Sequence, residues 1–513
     1  MKYLPLFLSL FLACVAGCAI NPVTGERELG FIGEQQEIAI GKEQYEPGRQ
    51  MEGGDYLLDQ QLTAYVDEIG QKLARVSDRP LPYEFKVLNN SVPNAWALPG
   101  GKISINRGLL LELNNEAELA AVLSHEIVHS AARHGAQRME KGMLMQGALL
   151  ATAVAVADSS YSGIAVGGAQ LAANVITQKY SREAELEADY YGMHYMSRAG
   201  YDPQSAVSLQ QTFVRLSGEK KINWLNGLFA SHPPSQERVE ANRRTAQSLK
   251  PGGEIGEKRY REKIKYIHEN APAYKAYDNG VLALKKGDIT KALALASEAM
   301  QIEPREALFL GLQGEAYFQQ GDYGKALASS NRALDLNNRF FQFYLQRGLI
   351  REKMGDLAGA RQDLEHSTKL LPNANAFKKL GDMSLVSGST ADAKAFFQKA
   401  ASSQSLAGKD AAISFLCLDL PENPSKYLRL TLEQTKDGTA RLRLSNPTPL
   451  PVHHIKCVAR FLDARGTTQQ IDLAHPGPVR PGKSVIIPLD GQKIAAKQQH
   501  TLQAKIVAAQ IAQ

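Results

Sequence analysis

The sequence His125-Glu126-Ile127-Val128-His129 lies in a helix-forming segment that begins after Asn114-Asn115. Either asparagine can cap a helix, Glu116 and Glu118 would lie in its first turn, and the apolar residues recur at helical spacing. On such a helix the two histidines lie one turn apart on the same face, so both imidazoles can bind one metal ion. Glu126 lies beside them and can act as a general base. The stretch therefore predicts a zinc-binding helix.

A catalytic zinc ion needs a third protein ligand and one open coordination position. A second helix-forming segment, Ser181 to Asp189, offers carboxylates, and we take Glu185 as the third ligand. Asp189 lies one turn beyond Glu185 and can accept the second ring N–H of His125, which would fix the tautomer of that ligand. Two further carboxylates of the segment are placed on its solvated face, Glu183 and Glu187. Four histidines lack partners at ligand spacing and are interpreted as structural: His134, His194, His453 and His454.

The order of these motifs carries a family resemblance. His-Glu-x-x-His followed by Glu-x-x-Ala-Asp, with Asn94 to Gly101 upstream, resembles the HtpX-like and CaaX-prenyl-protease-like zinc metallopeptidases. The match extends over roughly residues 30 to 245. It implies a gluzincin with one zinc ion per chain, in which His125, His129 and Glu185 are the ligands and Glu126 is the catalytic base.

The resemblance also gives a role to His232, which lies in the segment Ser231-His232-Pro233-Pro234-Ser235-Gln236-Glu237-Arg238. Similar His-Pro segments of the family lie near the metal. His232 would then either stabilise the oxyanion during catalysis or occupy the open zinc position and hold the enzyme latent. Without the resemblance, a single histidine in a loop would be interpreted as a surface residue.

Composition indicates a folded chain of several domains. The 513 residues are 44% hydrophobic and 22% charged, which allows large cores. The formal net charge is +6, and no cluster of lysine and arginine alternates with aromatic residues. We therefore expect no nucleic-acid partner and at most a mild preference for an anionic membrane surface.

The N-terminus predicts export and lipid anchoring. Lys2 precedes an apolar run from Leu4 to Ala13 that is too short to span a bilayer, so residues 1–17 are predicted to be a signal peptide. Val15-Ala16-Gly17-Cys18 resembles a bacterial lipobox, which implies acylation of Cys18; the alternative is an ordinary signal with an incidental cysteine. Ala19 stands where retention in the inner membrane would favour aspartate. The predicted location is the periplasmic face of the outer membrane of a Gram-negative bacterium.

Residues 18–54 are rich in glycine and proline and predict a lipid-anchored tether with one short helix, and the metallopeptidase domain is predicted over residues 55–250. Three short strands within it predict a small antiparallel sheet: Tyr83–Leu88, Ala95–Leu98 and Lys102–Asn106. Its edge, at Asn94, Ala95, Trp96 and Ala97, is predicted to bind substrate as an added strand. The alternative is that this hairpin only braces the zinc helix.

The segment 143–176 contains almost no charge but consists of two apolar halves, each too short for a confident transmembrane helix. It is compatible with a pair of buried helices. It is equally compatible with an apolar plate beside the zinc site that touches the bilayer or an unfolded substrate.

A repeat follows the linker around Pro251-Gly252-Gly253. Gly287-Asp288, Gly321-Asp322 and Gly355-Asp356 recur every 34 residues, which predicts four tetratricopeptide repeats over residues 272–407. Stacked repeats leave a concave face that binds extended or helical partners. The alternative role is a rigid spacer or a cover over the active site.

From about Ser425 the hydrophobic pattern changes to a period of two, which predicts a β-sandwich of immunoglobulin-like architecture over residues 425–513. Cys417 and Cys457 are the cysteines that remain after the signal peptide and the anchor. They could pair in an oxidising compartment, but two buried free thiols are the favoured interpretation.

The sequence thus predicts a multidomain protein: a mainly α metallopeptidase domain with a small sheet, an α-solenoid and a C-terminal β-sandwich. The predicted function is that of a lipid-anchored periplasmic zinc metalloendopeptidase in cell-envelope protein quality control, with misfolded or misassembled envelope proteins as substrates. The repeats could also dock onto outer-membrane assembly machinery. The alternative is an assembly factor whose repeats hold partners while the peptidase stays mostly latent.

Overall fold

The structure is a computed structural model that describes residues 18–156, 179–218, 226–434, 440–463, 465–489 and 501–512. The predicted signal peptide and the part of the apolar segment after residue 156 lie outside the described residues. Contacts divide the chain into two compact units, Met1–Asn373 and Ala374–Gln513. The boundary therefore falls inside the predicted repeat array.

The first unit begins with a two-stranded antiparallel hairpin, β1 (Cys18–Ile20) and β2 (Arg27–Leu29), followed by helix α1 (Glu34–Met51). Arg133 makes ion pairs from the body of the unit to Glu28 on β2 and Glu37 on α1, each at 2.7 Å. Glu37 is fully buried. The segment thus contains the predicted helix, but it is packed against the unit and does not form the tether that its glycines and prolines suggested.

Helix α2 (Gln60–Ala74) leads into a three-stranded sheet of β3 (Glu84–Leu88), β4 (Ala95–Leu98) and β5 (Lys102–Asn106), followed by the short helix α3 (Arg107–Leu110). The strand order is β3-β5-β4, with β4 antiparallel and β3 parallel to β5. The expectation of an all-antiparallel sheet is wrong, because the β4–β5 hairpin leaves the other side of β5 free and β3 joins it there. The three predicted strands and the edge position of β4 agree with the structure.

Helix α4 (Glu116–Ala131) carries the His-Glu-x-x-His sequence, and the Asn115 side chain caps it by accepting the Glu118 N–H at 2.9 Å. It is buried on almost every side because the sheet lies against one face and later helices lie against the other. Those helices are α5 (His134–Val156), α6 (Arg182–Arg198), α7 (Gln204–Gly218), α8 (Asn226–Ser231) and α9 (Gln236–Ser248).

Helix α10 (Glu257–Glu269) connects to the repeat helices of the first unit. These are α11 (Ala271–Lys285), α12 (Ile289–Ile302), α13 (Ala307–Gln320), α14 (Tyr323–Leu336), α15 (Phe341–Lys353) and α16 (Leu357–Leu370). Tyr274, Phe309 and Phe343 of these helices share one hydrophobic core with Leu119 and Ile127 of α4. The first repeats therefore pack into the same hydrophobic core as helix α4.

The second unit starts with the helices α17 (Ala374–Val386), α18 (Thr390–Ala401), α19 (Leu406–Asp419) and α20 (Pro424–Tyr427). Its strands are β6 (Arg429–Gln434), β7 (Ala440–Ser445), β8 (Val452–Leu462), β9 (Thr468–His475), β10 (Ser484–Pro488) and β11 (Gln503–Ile511). They form two three-stranded antiparallel sheets, β10-β7-β6 and β11-β8-β9, whose buried residues belong to one core.

Cys417 and Cys457 are both free thiols, as the favoured interpretation held, but only Cys457 is buried, because Cys417 is exposed. No described helix combines the length and the apolar character that spanning a bilayer would require.

Candidate metal centre

Two imidazoles converge on the inner face of α4. Nε2 of His125 and Nε2 of His129 lie 3.0 Å apart, and the Glu185 carboxylate on α6 lies 3.6 Å from the first and 3.5 Å from the second. His232, which follows α8, completes a group whose ligand atoms all lie within 4.8 Å of one another. The structure thus brings together the three residues predicted as ligands and adds His232 to them.

These residues fit a divalent metal ion. Ligand atoms about 2.0–2.2 Å from a tetrahedral ion lie roughly 3.3–3.5 Å from one another, close to the separations seen here. Three imidazoles and one carboxylate form a nitrogen and oxygen donor set suited to zinc and similar ions. Except for His125, which is partly exposed, the group is almost fully buried.

Asp189 and Arg238 contact two of the candidate ligands, His125 and Glu185. Nδ1 of His125 lies 2.9 Å from Oδ1 of Asp189, as the sequence predicted. Arg238 on α9 donates to both oxygens of Asp189, at 2.7 and 2.8 Å, and lies 2.7 Å from Oε2 of Glu185. Burial alone would raise the pKa of Asp189, but Arg238 outweighs it and lowers that pKa. The guanidinium therefore keeps a pair of buried carboxylates ionised.

Burial likewise acts to raise the pKa of Glu185, but His232 and Arg238 together hold that pKa well below its usual range. The carboxylate is thus available as an anionic ligand. Burial lowers the pKa of His129 well below its usual range, which keeps the imidazole neutral as metal binding requires.

His129 has neighbours that sequence spacing did not predict. Its Nδ1 lies 2.8 Å from Nδ1 of His134, whose Nε2 lies 3.3 Å from Oε1 of Glu187. Glu187 is therefore only partly exposed and does not lie on a solvated face, in contrast to Glu183, which is exposed. His134 therefore contacts a candidate ligand directly, which the spacing in the sequence did not indicate.

Tyr180 is a further neighbour that sequence reasoning missed. Its ring stacks on His129, with centroids 3.8 Å apart and an interplanar angle of 15°. Burial raises the pKa of the Tyr180 hydroxyl to about 12. The phenol therefore stays protonated at neutral pH and closes one side of the metal group.

Glu126 and His232 face each other over the site. Oε1 of Glu126 lies 3.5 Å from Nε2 of His232. The other carboxylate oxygen of Glu126, Oε2, has no hydrogen-bond partner among the residues described. Burial raises the pKa of Glu126. Burial would lower the pKa of His232, but Glu185 and Glu126 outweigh it and raise that pKa. Nδ1 of His232 lies 2.9 Å from Oε1 of Glu185 and 3.3 Å from Nε2 of His125.

The residues predicted to bind substrate lie on or next to β4. The backbone carbonyl of Asn94 accepts the Asn106 N–H at 2.8 Å. Hydrogen-bonded and non-hydrogen-bonded residue pairs alternate along an antiparallel pair of strands, so the peptide groups of Ala95 and Ala97 point away from β5. The Trp96 ring is buried edge-on against Tyr45, with centroids 5.9 Å apart, and belongs to the core. The peptide groups of Ala95 and Ala97 therefore form the edge of the sheet, although both residues are buried, and the Trp96 ring plays no part in that edge.

A small, largely apolar recess of about 40 Å³ lies next to Glu126 and His232, between α4, α6 and α7. Its walls include Val122, Met193, Met196, Leu209 and Phe213. A substrate side chain that entered it would leave water for an apolar surface, so the recess favours apolar side chains next to the reacting bond.

These features define a metallopeptidase site. One helix carries two histidines and a glutamate, a second helix supplies the Glu185 carboxylate, and Asp189 contacts the other ring nitrogen of the first histidine. Residues 60–246 match the model of peptidase family M48, and residues 314–355 match the model of the TPR repeat. The chain therefore carries an M48 peptidase domain joined to TPR repeats, which confirms the resemblance drawn from the sequence.

Similar proteins are known in bacteria and mitochondria. The chain is 30% identical over 223 residues to the beta-barrel assembly-enhancing protease of Yersinia pestis, with 42% of this chain and 45% of that protein covered. It is 30% identical over 225 residues to the mitochondrial metalloendopeptidase OMA1 of Schizosaccharomyces pombe, with 42% and 63% covered. The chain spans less than half the length of the first relative.

Among solved structures, the first TPR of Spaghetti (RPAP3) bound to an HSP90 peptide is 24% identical with a TM-score of 0.23. The match covers 23% of this chain and 98% of the chain in that structure.

Proposed function

We propose that this chain is a zinc metalloendopeptidase, anchored by an acylated Cys18 to the periplasmic face of the outer membrane, that cleaves misfolded or misassembled envelope proteins. The observation that carries the proposal is the buried group of His125, His129 and Glu185 with Glu126 beside it. The relatives named as beta-barrel assembly-enhancing proteases support the envelope as the setting.

His125, His129 and Glu185 would hold one zinc ion, which when bound would polarise both the attacking water and the scissile carbonyl. Glu126 accepts the proton of the water on its free Oε2 and then passes it to the leaving amine. Its raised pKa suits this shuttle, because a carboxylate with greater proton affinity is a better base. Nε2 of His232, which has no hydrogen-bond partner in the described part of the chain, can donate to the carbonyl oxygen as negative charge develops there.

Substrate would bind as an extended strand along Ala95 and Ala97, with one apolar side chain in the recess beside Val122 and Met193. Apolar side chains are exposed in unfolded proteins and buried in folded ones, so this geometry favours misfolded substrates. In the repeats, a groove lined by Tyr277, Leu312 and Phe343 is also apolar and would bind such segments away from the metal.

The position of His232 favours a second candidate, an assembly factor with a latent peptidase. Its Nδ1 lies within hydrogen-bond distance of both His125 and Glu185, so the imidazole can serve as a fourth metal ligand. In that state it would occupy the position that water needs, and substrate would have to displace it.

Glu126→Gln tests the proposal, because the amide keeps the shape of the side chain but cannot accept the proton. Cleavage of an unfolded protein should fall by at least about a thousandfold while zinc content stays at about one per chain. Glu183→Gln, on the exposed face of α6, is the matched control and should cleave at the wild-type rate. Cleavage by Glu126→Gln at the wild-type rate would refute the protease assignment. Full zinc content after Glu185→Ala would refute the ligand set.

His232→Ala separates the two candidates for that residue. If His232 stabilises developing charge, the variant should lose about a hundredfold in kcat with little change in KM. If His232 holds the peptidase latent, the variant should instead cleave faster than the wild type.

A further inference from the structure

The N-terminal hairpin has one face that is fixed to the peptidase unit. On that face Ala19 is paired with Glu28, and Glu28 accepts from Arg133 at 2.7 Å and from Gln137. A Cβ added to Gly30 would overlap the Ala19 side chain and lie 3.1 Å from the Arg133 guanidinium. The hairpin therefore cannot roll or lift away without breaking buried ionic contacts.

The opposite face is exposed and largely apolar. Strand alternation places Ile20 and its partner Arg27 on that face, together with Leu29, which is paired with position 18. Ile20 is 65% exposed and Leu29 is 46% exposed, and Arg27 is exposed as well. Large aliphatic side chains in a strand this short normally pack against a core, so their exposure marks a contact surface.

The apolar surface continues onto α5. Phe31 is 44% exposed, and the next residue, Ile32, donates its N–H to Glu140 of α5 at 2.8 Å. Met143 and Leu144 lie one turn beyond Glu140 and are also about half exposed. We call Ile20, Leu29, Phe31, Met143 and Leu144 the N-terminal apolar face.

We propose that the N-terminal apolar face lies in the interface of a phospholipid bilayer. The inference rests on the proposed acylation of Cys18 and names what the anchored protein does at the membrane. Cys18 is the first residue of β1, so no flexible linker separates its acyl chains from the hairpin. Acyl chains attached to Cys18 would enter the bilayer within two residues of Ile20, which would place Ile20 and its neighbour Leu29 near the headgroups.

The positive charge on the face suits an anionic bilayer surface. Arg27, opposite Ile20 in the register, can pair with an anionic headgroup while Ile20 enters the acyl region. Phe31 and the methionine and leucine of α5 supply the aromatic and aliphatic side chains that favour the interface.

The consequence is a fixed distance between the membrane and the metal centre. Asn21, directly after β1, donates to Ala132 O at 3.4 Å and to Glu187 at 3.3 Å. Glu187 contacts His134, which contacts the candidate ligand His129. The peptidase would thus be docked on the bilayer through a rigid chain of contacts, and it would act on proteins emerging at that surface.

The test uses the mature chain with Cys18→Ser, purified without residues 1–17, so that binding depends on the protein surface alone. It should float with vesicles of phosphatidylethanolamine and phosphatidylglycerol, and Ile20→Ser/Leu29→Ser should weaken binding at least about tenfold. The matched control, Leu282→Ser on α11, removes an exposed leucine away from the hairpin and should bind like the parent. Equal vesicle binding of parent and hairpin variant would overturn the proposal.

A second readout does not depend on loss of binding. The fluorescence of Ile20→Trp should be quenched by brominated lipid, whereas Leu282→Trp should show no quenching beyond that of the parent chain. Self-association in sedimentation that disappears in Ile20→Ser/Leu29→Ser, without vesicle binding, would instead make the face a contact between copies and overturn the membrane assignment.

Peptide cleavage in solution distinguishes a failure of this inference from a failure of the proposed function. The hairpin variant should cleave a short peptide at the parent rate, since its substitutions lie on the outward face. A chain that cleaves normally but does not bind vesicles refutes the membrane face alone. A chain that binds vesicles but never cleaves refutes the peptidase assignment alone.

Discussion

At the scale of single residues, Arg238 is the group on which two buried carboxylates of the metal centre depend. It contacts both oxygens of Asp189 and one oxygen of Glu185, and all three side chains are almost fully buried. A buried carboxylate that loses its guanidinium partner must either be protonated or move towards water.

We therefore expect Arg238→Met to lower the free energy of unfolding of the metal-free protein by about 3–5 kcal/mol. Metal affinity should fall about 10- to 100-fold, because His125 and Glu185 lose the contacts that orient them. Chemical denaturation and metal competition measure the two effects. Arg243→Met, an exposed position on the same helix, should change neither by more than about 0.5 kcal/mol. A wild-type affinity in Arg238→Met would show that the guanidinium does not position the ligands.

The residues that local spacing could predict are those that lie within one helix. His125 and His129, or Glu185 and Asp189, are four residues apart and share a helical face, so periodicity placed them without knowledge of the fold. His134 could not be found in this way. Arg133 has a φ of 63° and separates α4 from α5. The change in chain direction there places the His134 ring in contact with His129.

Arg238 and Tyr180 reach the centre from segments distant in sequence. Arg238 was visible in the His-Pro segment, but its role depends on how α9 packs against α6. Nothing in the sequence around Tyr180 distinguishes a stacking partner from an ordinary core aromatic. Such contacts depend on tertiary structure, and their residue types alone did not indicate them.

At the scale of helices and strands, the repeat period explains a set of close approaches. Gly280, Gly314 and Gly348 recur at intervals of 34 residues, and Gly381 follows 33 residues later. A Cβ added to Gly381 would overlap the ring of Phe397, which is fully buried where α17 packs on α18. The two helices can approach this closely only because Gly381 has no side chain, and this close packing outweighs the low helix propensity of glycine.

Gly381→Ala should therefore destabilise the second unit by about 1–2 kcal/mol, since overpacking outweighs the gain in helix propensity. Adding Phe397→Leu should reverse part of this loss, with a coupling of about 1 kcal/mol in a double-mutant cycle. Gly388→Ala is the control, because that glycine has φ of 82° and open space around it. It should cost about 1 kcal/mol from backbone strain alone and show no coupling to Phe397→Leu. Additive effects at Gly381 and Phe397 would contradict the steric explanation.

Strand positions were predictable because each short strand is bounded by turns and carries apolar residues. Gly100 and Gly101, both with positive φ, close the β4–β5 hairpin as the Pro-Gly-Gly sequence indicated. The parallel pairing of β3 with β5 was not predictable, because it depends on which side of β5 remains free. The order of the strands along the chain contains no information on that choice.

At the scale of the whole molecule, the first repeats and the peptidase domain are joined by a buried polar network. Glu306 caps α13 by accepting the Leu308 N–H, and it also accepts the Tyr274 hydroxyl at 2.7 Å and the Asn89 amide at 2.9 Å. The Arg107 guanidinium lies 3.3 Å from the centre of the Tyr274 ring. One carboxylate thus links two repeat helices to the end of β3.

Glu306→Ala should lower the free energy of unfolding of the first unit by about 2–4 kcal/mol, since it removes a helix cap and leaves two buried donors without an acceptor. Calorimetry or urea denaturation measures the loss. Glu298→Ala, at an exposed position on α12, is the matched control and should stay within about 0.5 kcal/mol of wild type. An equal loss in both variants would show that the network does not stabilise the junction.

The sequence placed the end of the peptidase domain near residue 250 because the composition and period change there. Contacts place the division of the chain between Asn373 and Ala374, inside the array of repeats. The difference arises because Tyr274, Phe309 and Phe343 complete the core that begins on α4, and a shared core leaves no trace in the repeat period. Removing all repeats would therefore expose the core of the peptidase.

A chain that ends at Asn373 is the sharper way to separate chemistry from recruitment. It retains the four candidate metal ligands, Glu126 and the whole core of the first unit. It should unfold cooperatively, hold about one zinc ion and cleave short apolar peptides within about twofold of the full chain. Capture of large unfolded proteins should weaken only in part, because the truncated chain keeps the groove at Tyr277, Leu312 and Phe343 but loses the last predicted repeat, α17 and α18. Full-length Glu126→Gln supplies the complementary arm, since it should capture such proteins without cleaving them. Loss of peptide cleavage in a folded, zinc-loaded truncated chain would place part of the active site in residues 374–513. Undiminished capture by that chain would show that substrates are recruited by the first unit alone.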